Sequence, residues 1–107
     1  MEKTRLEFLQ DAVNADAANT FARYGLAMEL HGAGRDAEAW QHFEHLLTNH
    51  PEYSAAYFQA GMLLINLGRR EEAVQVFQNG IEVTGRQGNS HARSELQAAL
   101  DDLVSDS

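Results

Sequence analysis

The chain repeats itself. Set against its own sequence at an offset of 34 residues, Ala22 falls on Ala56, Met28 on Met62, Gly34 on Gly68 and Arg35 on Arg69. Glu38 then falls on Glu72, Ala39 on Ala73, Gln41 on Gln75 and Phe43 on Phe77. Conservative matches join them: Tyr24 with Phe58, Leu30 with Leu64, Leu47 with Ile81. Many positions recurring in one register are the signature of a repeat architecture. Each copy reads as helix, glycine turn, helix. Neither copy could bury its apolar faces alone, so the copies are expected to stack.

Short breaks punctuate the rest: Asn14 to Asn19, Gly32-Ala33-Gly34, Asn49-His50-Pro51, Gly68, and Gly85 to Asn89. They are read as dividing the chain into five helices of about 10–15 residues. No stretch alternates apolar and polar residues for long, so no strand is expected. The fold class predicted is all-α. One domain over 1–107 is expected, with an N-terminal helix at 2–14, repeats at 20–53 and 54–87, and a closing helix at 89–104. Only the residues from about Val104 onward read as a loose tail.

Charge narrows the partners. Sixteen Asp and Glu stand against eight Lys and Arg in 107 residues, a formal net charge of −8. Nucleic-acid binding needs clustered cations, and so does docking on an anionic membrane, so neither is expected. A single Lys among so many acids is seen in salt-adapted proteins, but biased codon usage gives it too. No cysteine is present, which excludes disulfides, thiolate nucleophiles and cysteine-based zinc sites. Met1 to Arg5 runs into an amphipathic pattern without an apolar leader core, and no apolar run nears the about 20 residues of a membrane span. A cytoplasmic location is the expectation.

The repeat resembles the tetratricopeptide repeat, whose consensus carries W-x2-L-G-x2-Y, then A-x3-F, then P. The first copy has Leu26-Ala27-x2-Leu30, Ala39-x3-Phe43 and Pro51, with Arg23 where Trp is usual. The second has Tyr57-x2-Ala60-Gly61-x2-Leu64 and Ala73-x3-Phe77, with Gly85 where Pro is usual. Ala27 and Gly61 are small where paired helices are expected to cross closely, and Ala39 and Ala73 answer them from the second helix of each pair. Phe43 and Phe77 are expected to fill the space between neighbouring pairs. The resemblance implies antiparallel helix pairs in a short right-handed solenoid.

The flanks read as partial units. Leu6, Leu9, Ala12 and Val13 share one helical face before the first repeat. After the second, Ala92, Leu96, Ala99, Leu100 and Leu103 form the apolar face of a capping helix whose other side carries Glu95, Asp101 and Asp102. At an offset of 34 His91, Ser94 and Glu95 would fall on core positions, so this helix is out of register. Both ends read as capped, and a chain of this length is expected to stand alone.

Residues with chemical potential do not converge. Glu71-Glu72 and Asp101-Asp102 are neighbours on a helix and point about 100° apart. His42 and His45, with Glu38 a turn earlier, have metal-ligand spacing, but they fall on the expected solvated side, and His50 lies beyond the helix end. Gly80-x4-Gly85 is followed by Arg86-Gln87 and lies within a helix, unlike a phosphate loop. Ser90, His91 and Ser94 lack an orienting acid; Asn89 or Ser90 is read instead as a helix cap. No catalytic residue, cofactor or metal site is expected, and the chain is read as a non-enzyme.

The apolar stripe is different. In the family the resemblance suggests, the first helix of each pair lines a concave groove. The groove residues implied are Phe21, Tyr24, Met28 and His31 from the first copy, and Ala55, Phe58, Met62, Ile65 and Asn66 from the second. Tyr57 to Leu67 is apolar nearly all round, which demands cover on every side. Three covers are open: a partner's peptide or helix, a second copy of the chain, or its own last helix. Family members that clamp acidic chaperone tails place Lys and Asn in the groove; here Tyr24, Met28, Phe58 and Met62 stand there, so no carboxylate clamp is expected. The function expected is non-catalytic protein–protein interaction through an apolar groove. Phe21, Tyr24, Met28, Phe58, Met62 and Ile65 would be anchors and His31 and Asn66 the polar rim; the alternative is homo-oligomerisation through the same face.

Overall fold

The computed structural model describes residues 2–105. Among them are six α-helices and no strand: α1 (Arg5–Ala15), α2 (Thr20–Gly32), α3 (Asp36–Asn49), α4 (Ala55–Asn66), α5 (Arg70–Arg86) and α6 (Ser90–Ser105). The expected count of five was one short, because five breaks bound six segments. The last two helices also outrun the expected length, at 17 and 16 residues. Val104, expected to open a loose tail, is helical. Met1, Asp106 and Ser107, on which the leader and tail expectations also fall, lie outside the described residues.

Two compact units result, one up to His50 and one from Pro51. In the first, α1 packs on α2 and α2 on α3; in the second, α4 packs on α5, α5 on α6, and α6 also touches α4.

Local chemistry sets the helix ends. Thr4 and Glu7 form a reciprocal capping box at the start of α1. Asn19 Oδ1 accepts from Ala22 N at 3.0 Å to start α2, and Asn89 Oδ1 accepts from Ala92 N at 3.2 Å in α6. Acids occupy the first turns of α3 (Asp36, Glu38) and α5 (Glu71, Glu72), where the helix dipole favours them. Three helices stop in the same way. Gly34, Gly68 and Gly88 have φ of 75°, 74° and 69°, the left-handed region open to glycine. That conformation lets the following N–H reach back five residues: Arg35 N to Leu30 O at 2.9 Å, Arg69 N to Leu64 O at 2.8 Å, Asn89 N to Thr84 O at 2.9 Å. The third stop therefore falls at Gly88, and Gly85 stays inside α5. After the first two stops, Arg35 grips Glu38 and Arg69 grips Glu72, each through Nε and Nη2.

The cores repeat as the sequence does. Ala22, Leu26, Ala27, Leu30, Ala39 and Phe43 are buried in the first unit. Ala56, Ala60, Leu64, Ala73 and Phe77 answer them in the second, with Gly61 also buried. Within its own pair, Phe43 meets Tyr24 edge-on at 6.1 Å, and Phe77 lies over Gly61. A Cβ added to Gly61 would stand 2.2 Å from Phe77 Cε1, so glycine there admits the ring. Gly80 is a second close approach; a Cβ there would meet Tyr57 Cβ at 2.7 Å and Leu96 Cδ1 at 3.0 Å. It thus lets α4, α5 and α6 crowd together, a packing role that settles its place in the helix.

The loop before each repeat is tied down by equivalent bonds from unlike side chains. Tyr57 Oη donates to Pro51 O at 2.6 Å. Thirty-four residues earlier, Arg23 Nη2 donates to Ala17 O at 3.2 Å. Both side chains are buried, at 3% and 8% exposure. The register slip in α6 is also visible. His91, Ser94 and Glu95 are exposed, while Leu96 and Leu103 are buried. Leu96 thus follows Ala60 by 36 residues, because α5 is longer than α3 (17 against 14 residues) and delays the next start.

Candidate protein-interaction surface

In the second unit, α4 presents the residues that its own partner α5 leaves uncovered. Tyr57, Ala60, Leu63 and Leu64 are buried, Phe58 and Ile65 are half-buried, and Met62 is 40% exposed. Phe58 also lies against Phe77, ring centroids 6.5 Å apart, which steadies its base. Phe58, Met62 and Ile65 form one wall of a cleft of about 410 Å³. The other wall is α6, through Glu95, Ala98, Ala99, Asp102 and Leu103. A smaller cleft of about 290 Å³ adjoins it, reaching Ala55 and again bounded by Phe58 and Glu95. The last helix is therefore a wall of this groove and leaves it open.

Glu95 and Asp102 correct the reading of α6. They were expected on the outer polar side, yet both line the cleft. Their spacing carried the signal: Glu95, Ala98, Ala99 and Asp102 follow i, i+3, i+4, i+7, one continuous helix face beside the buried Leu96 and Leu103 stripe. Glu95 meets His91 Nε2 at 3.0 Å from the preceding turn. Asp101 turns elsewhere, accepting from Gln97 Nε2 at 3.0 Å. Asn66, expected at the rim, is exposed at the end of α4.

In the first unit, α2 carries the other expected residues. Phe21 is 78% exposed, and Met28 is half-buried. Tyr24 is half-buried against Phe43. His31 Nδ1 lies 2.8 Å from Asp36 Oδ1 across the α2–α3 turn, so the imidazole helps to close that turn. Phe8 on α1 is a further exposed aromatic, at 67%.

The histidines with metal-ligand spacing belong to a different arrangement. His42 is half-buried, not on a solvated face, and its Nδ1 lies 3.0 Å from Arg23 Nη1. A guanidinium can only donate, so His42 must accept there as a neutral ring. Burial, then the Arg23 charge, then His45, push His42 below the ordinary histidine value, with Glu38 opposing. Burial and Arg23 do the same to His45. Burial alone pulls Arg23 below the usual arginine range. A cation at this spot repels a metal ion, and among the described residues no three His, Cys, Asp or Glu side chains gather to hold one. Glu72 is taken by Arg69, and no helix among the described residues is long and apolar enough to cross a membrane.

Helix hairpins repeating every 34 residues, each closed by the same glycine stop, define a helical-repeat scaffold. The family model described as tetratricopeptide repeat matches residues 54–85. The solution structure of a tetratricopeptide repeat domain protein from Salinibacter ruber is 33% identical, with a TM-score of 0.78 over 82% of this chain and 89% of that one. Its crystal structure gives 33% identity and a TM-score of 0.76 over 79% and 96%. A protein from Bordetella parapertussis shares the fold at 24% identity, with a TM-score of 0.82 over 98% and 91%. No curated protein matches the sequence. The chain belongs to the tetratricopeptide repeat family. Such repeats are in general protein–protein interaction modules, a non-catalytic scaffold family.

Proposed function

We propose that this chain is a non-catalytic interaction module that takes a peptide or helix of a partner protein in its apolar groove. The observation that carries the reading is the open cleft between α4 and α6, walled by Phe58, Met62 and Ile65 on one side and Ala98, Ala99 and Leu103 on the other. Its volume of about 410 Å³ falls within the range of sites that bury a compact ligand, about 300–1,000 Å³. Phe58, Met62 and Ile65 are the anchors, and Asn66 lies at the rim. Their i, i+4, i+7 spacing sets the three on one face of α4, a wall against which a partner helix would lay its own apolar anchors. Methionine adds adaptability to the shape of the partner. In the first unit, α2 offers Phe21, Tyr24 and Met28 as its own contact surface, with His31 beside them.

Selection of displayed peptides on the wild-type chain tests this reading. Selected peptides should lose about 2 kcal/mol of binding, roughly thirtyfold, on Phe58→Ala, because a central aromatic anchor is a hot spot. An isotherm unchanged by Phe58→Ala would remove the cleft from the account.

A further inference from the structure

We propose that the α4–α6 cleft is specific for a cationic amphipathic segment of a partner protein, in which an apolar side chain is flanked by two Lys or Arg residues. This rests on the cleft being an interaction surface and adds the chemistry of the occupant.

The cleft sets acidic charge around an apolar floor. Phe58, Met62, Ile65, Ala98, Ala99 and Leu103 give the floor and walls no charge. The charged groups lining the cleft are Glu95 and Asp102, both acidic and both on α6. Among the described residues no Lys or Arg lines it. Arg70, which comes near through Leu103, spends Nη2 on the Leu103 carbonyl. Glu95 has His91 beside it, and the Asp102 carboxylate has no ion-pair partner among the described residues.

Spacing sharpens the fit. Glu95 and Asp102 are seven residues apart on one helix face, about 10 Å along the axis, with Ala98 and Ala99 between them. A ligand cation for each must therefore stand about 10 Å from its mate. A helix supplies that at i and i+7, and an extended segment at i and i+3. An apolar residue between the cations would meet Ala98, Ala99 and Met62. An acidic ligand meets the reverse: two carboxylates in the cleft on a chain of net charge −8. Opposed charge at a rim selects partners chiefly by excluding wrong ones and by speeding encounter, and salt screens it.

The test is selection of displayed peptides on the full chain, depleted first on Phe58→Gln and, in parallel, on Met62→Gln. Met62 is exposed, so the second variant keeps the test sound if the first fails to fold. Circular dichroism checks each variant. The expected winners carry an apolar residue between two Lys or Arg at one of the two spacings. A synthetic winner should bind at least about tenfold more weakly to Glu95→Lys/Asp102→Lys. Its affinity should fall with added sodium chloride. Its counterpart with Glu replacing each Lys or Arg should prefer the double-lysine variant over wild type. Winners without charge bias, held equally by the double variant, would overturn this inference and leave the interaction surface standing. No winner that distinguishes wild type from the Gln variants would overturn both. A wild-type dimer in light scattering that Met62→Asp returns to a folded monomer would make a second copy the occupant, and would overturn the cationic segment.

Discussion

Arg23 and His42 hold each other in a fixed protonation state: Nη1 of the arginine donates to Nδ1 of the histidine across 3.0 Å. Arg23 is 8% exposed, its Nε has no partner, and the remaining bond goes to Ala17 O. Protonating His42 at Nδ1 would remove the acceptor and set two cations together. The groups that face the pair are His45 on α3 and Glu38 a turn before, with Glu38 engaged by Arg35.

An acid-sensitive first unit follows. Folding holds the His42 pKa below its ordinary value, so the unfolded chain takes up the proton first as pH falls. This stabilisation is whole above about pH 6.5 and is lost progressively below it, toward the lower folded value. His45 adds in the same direction. Urea midpoints measured from pH 7.5 down to 5 should fall, and His42→Gln should flatten the slope, because its amide oxygen accepts from Arg23 at every pH. An equal slope in wild type and His42→Gln would show that the pair does not control it.

Gly61→Ala should be destabilising despite alanine's better helix propensity of about 1 kcal/mol. The new Cβ would overlap Phe77, whose ring is fully buried and has nowhere to move. Overpacking of this kind costs about 1–3 kcal/mol. Thermal melts of Gly61→Ala with and without Phe77→Leu check it, and the second change should restore part of the loss. A Gly61→Ala melt at or above wild type would contradict the packing.

Glycines at helix ends should divide by backbone angle. Gly34→Ala and Gly68→Ala force a side chain into the left-handed region and should each cost about 1–2 kcal/mol. Gly32 lies inside α2, and nothing stands within 4 Å of the position its Cβ would take. Gly32→Ala should therefore be neutral or stabilising by up to about 1 kcal/mol. Denaturant titration of the three variants gives the comparison directly.

The repeat made most of the fold legible. Glycine stops, first-turn acids and the small residues at helix crossings each have a local cause that a single sequence displays. A consensus position tells that Phe43 and Phe77 are large; that they meet Tyr24 and Gly61 needed the fold. Arg23 was visible only as a departure from Trp. Its role needs the Ala17 carbonyl and the His42 ring, which chain folding alone brings together. The apolar wall of the cleft could be read from Phe58, Met62 and Ile65. The α6 wall was present in the i, i+3, i+4, i+7 run of Glu95, Ala98, Ala99 and Asp102, but their charge set Glu95 and Asp102 on the expected outer side, and only the packing of α6 on α4 turns them into the cleft. Helix phase there depends on how long α5 runs, which Thr84 and Gly88 decide by where they close it.

The most direct measurement is an amide NMR titration of the isotope-labelled chain with a selected peptide. Shifts should concentrate on α4 around Phe58, Met62 and Ile65, and on α6 around Glu95, Ala98 and Asp102. The neutral double change Phe58→Gln/Met62→Gln should abolish them while the rest of the spectrum stays folded. Shifts gathered on α1 or α3, with α4 and α6 unmoved, would contradict the cleft as the binding surface.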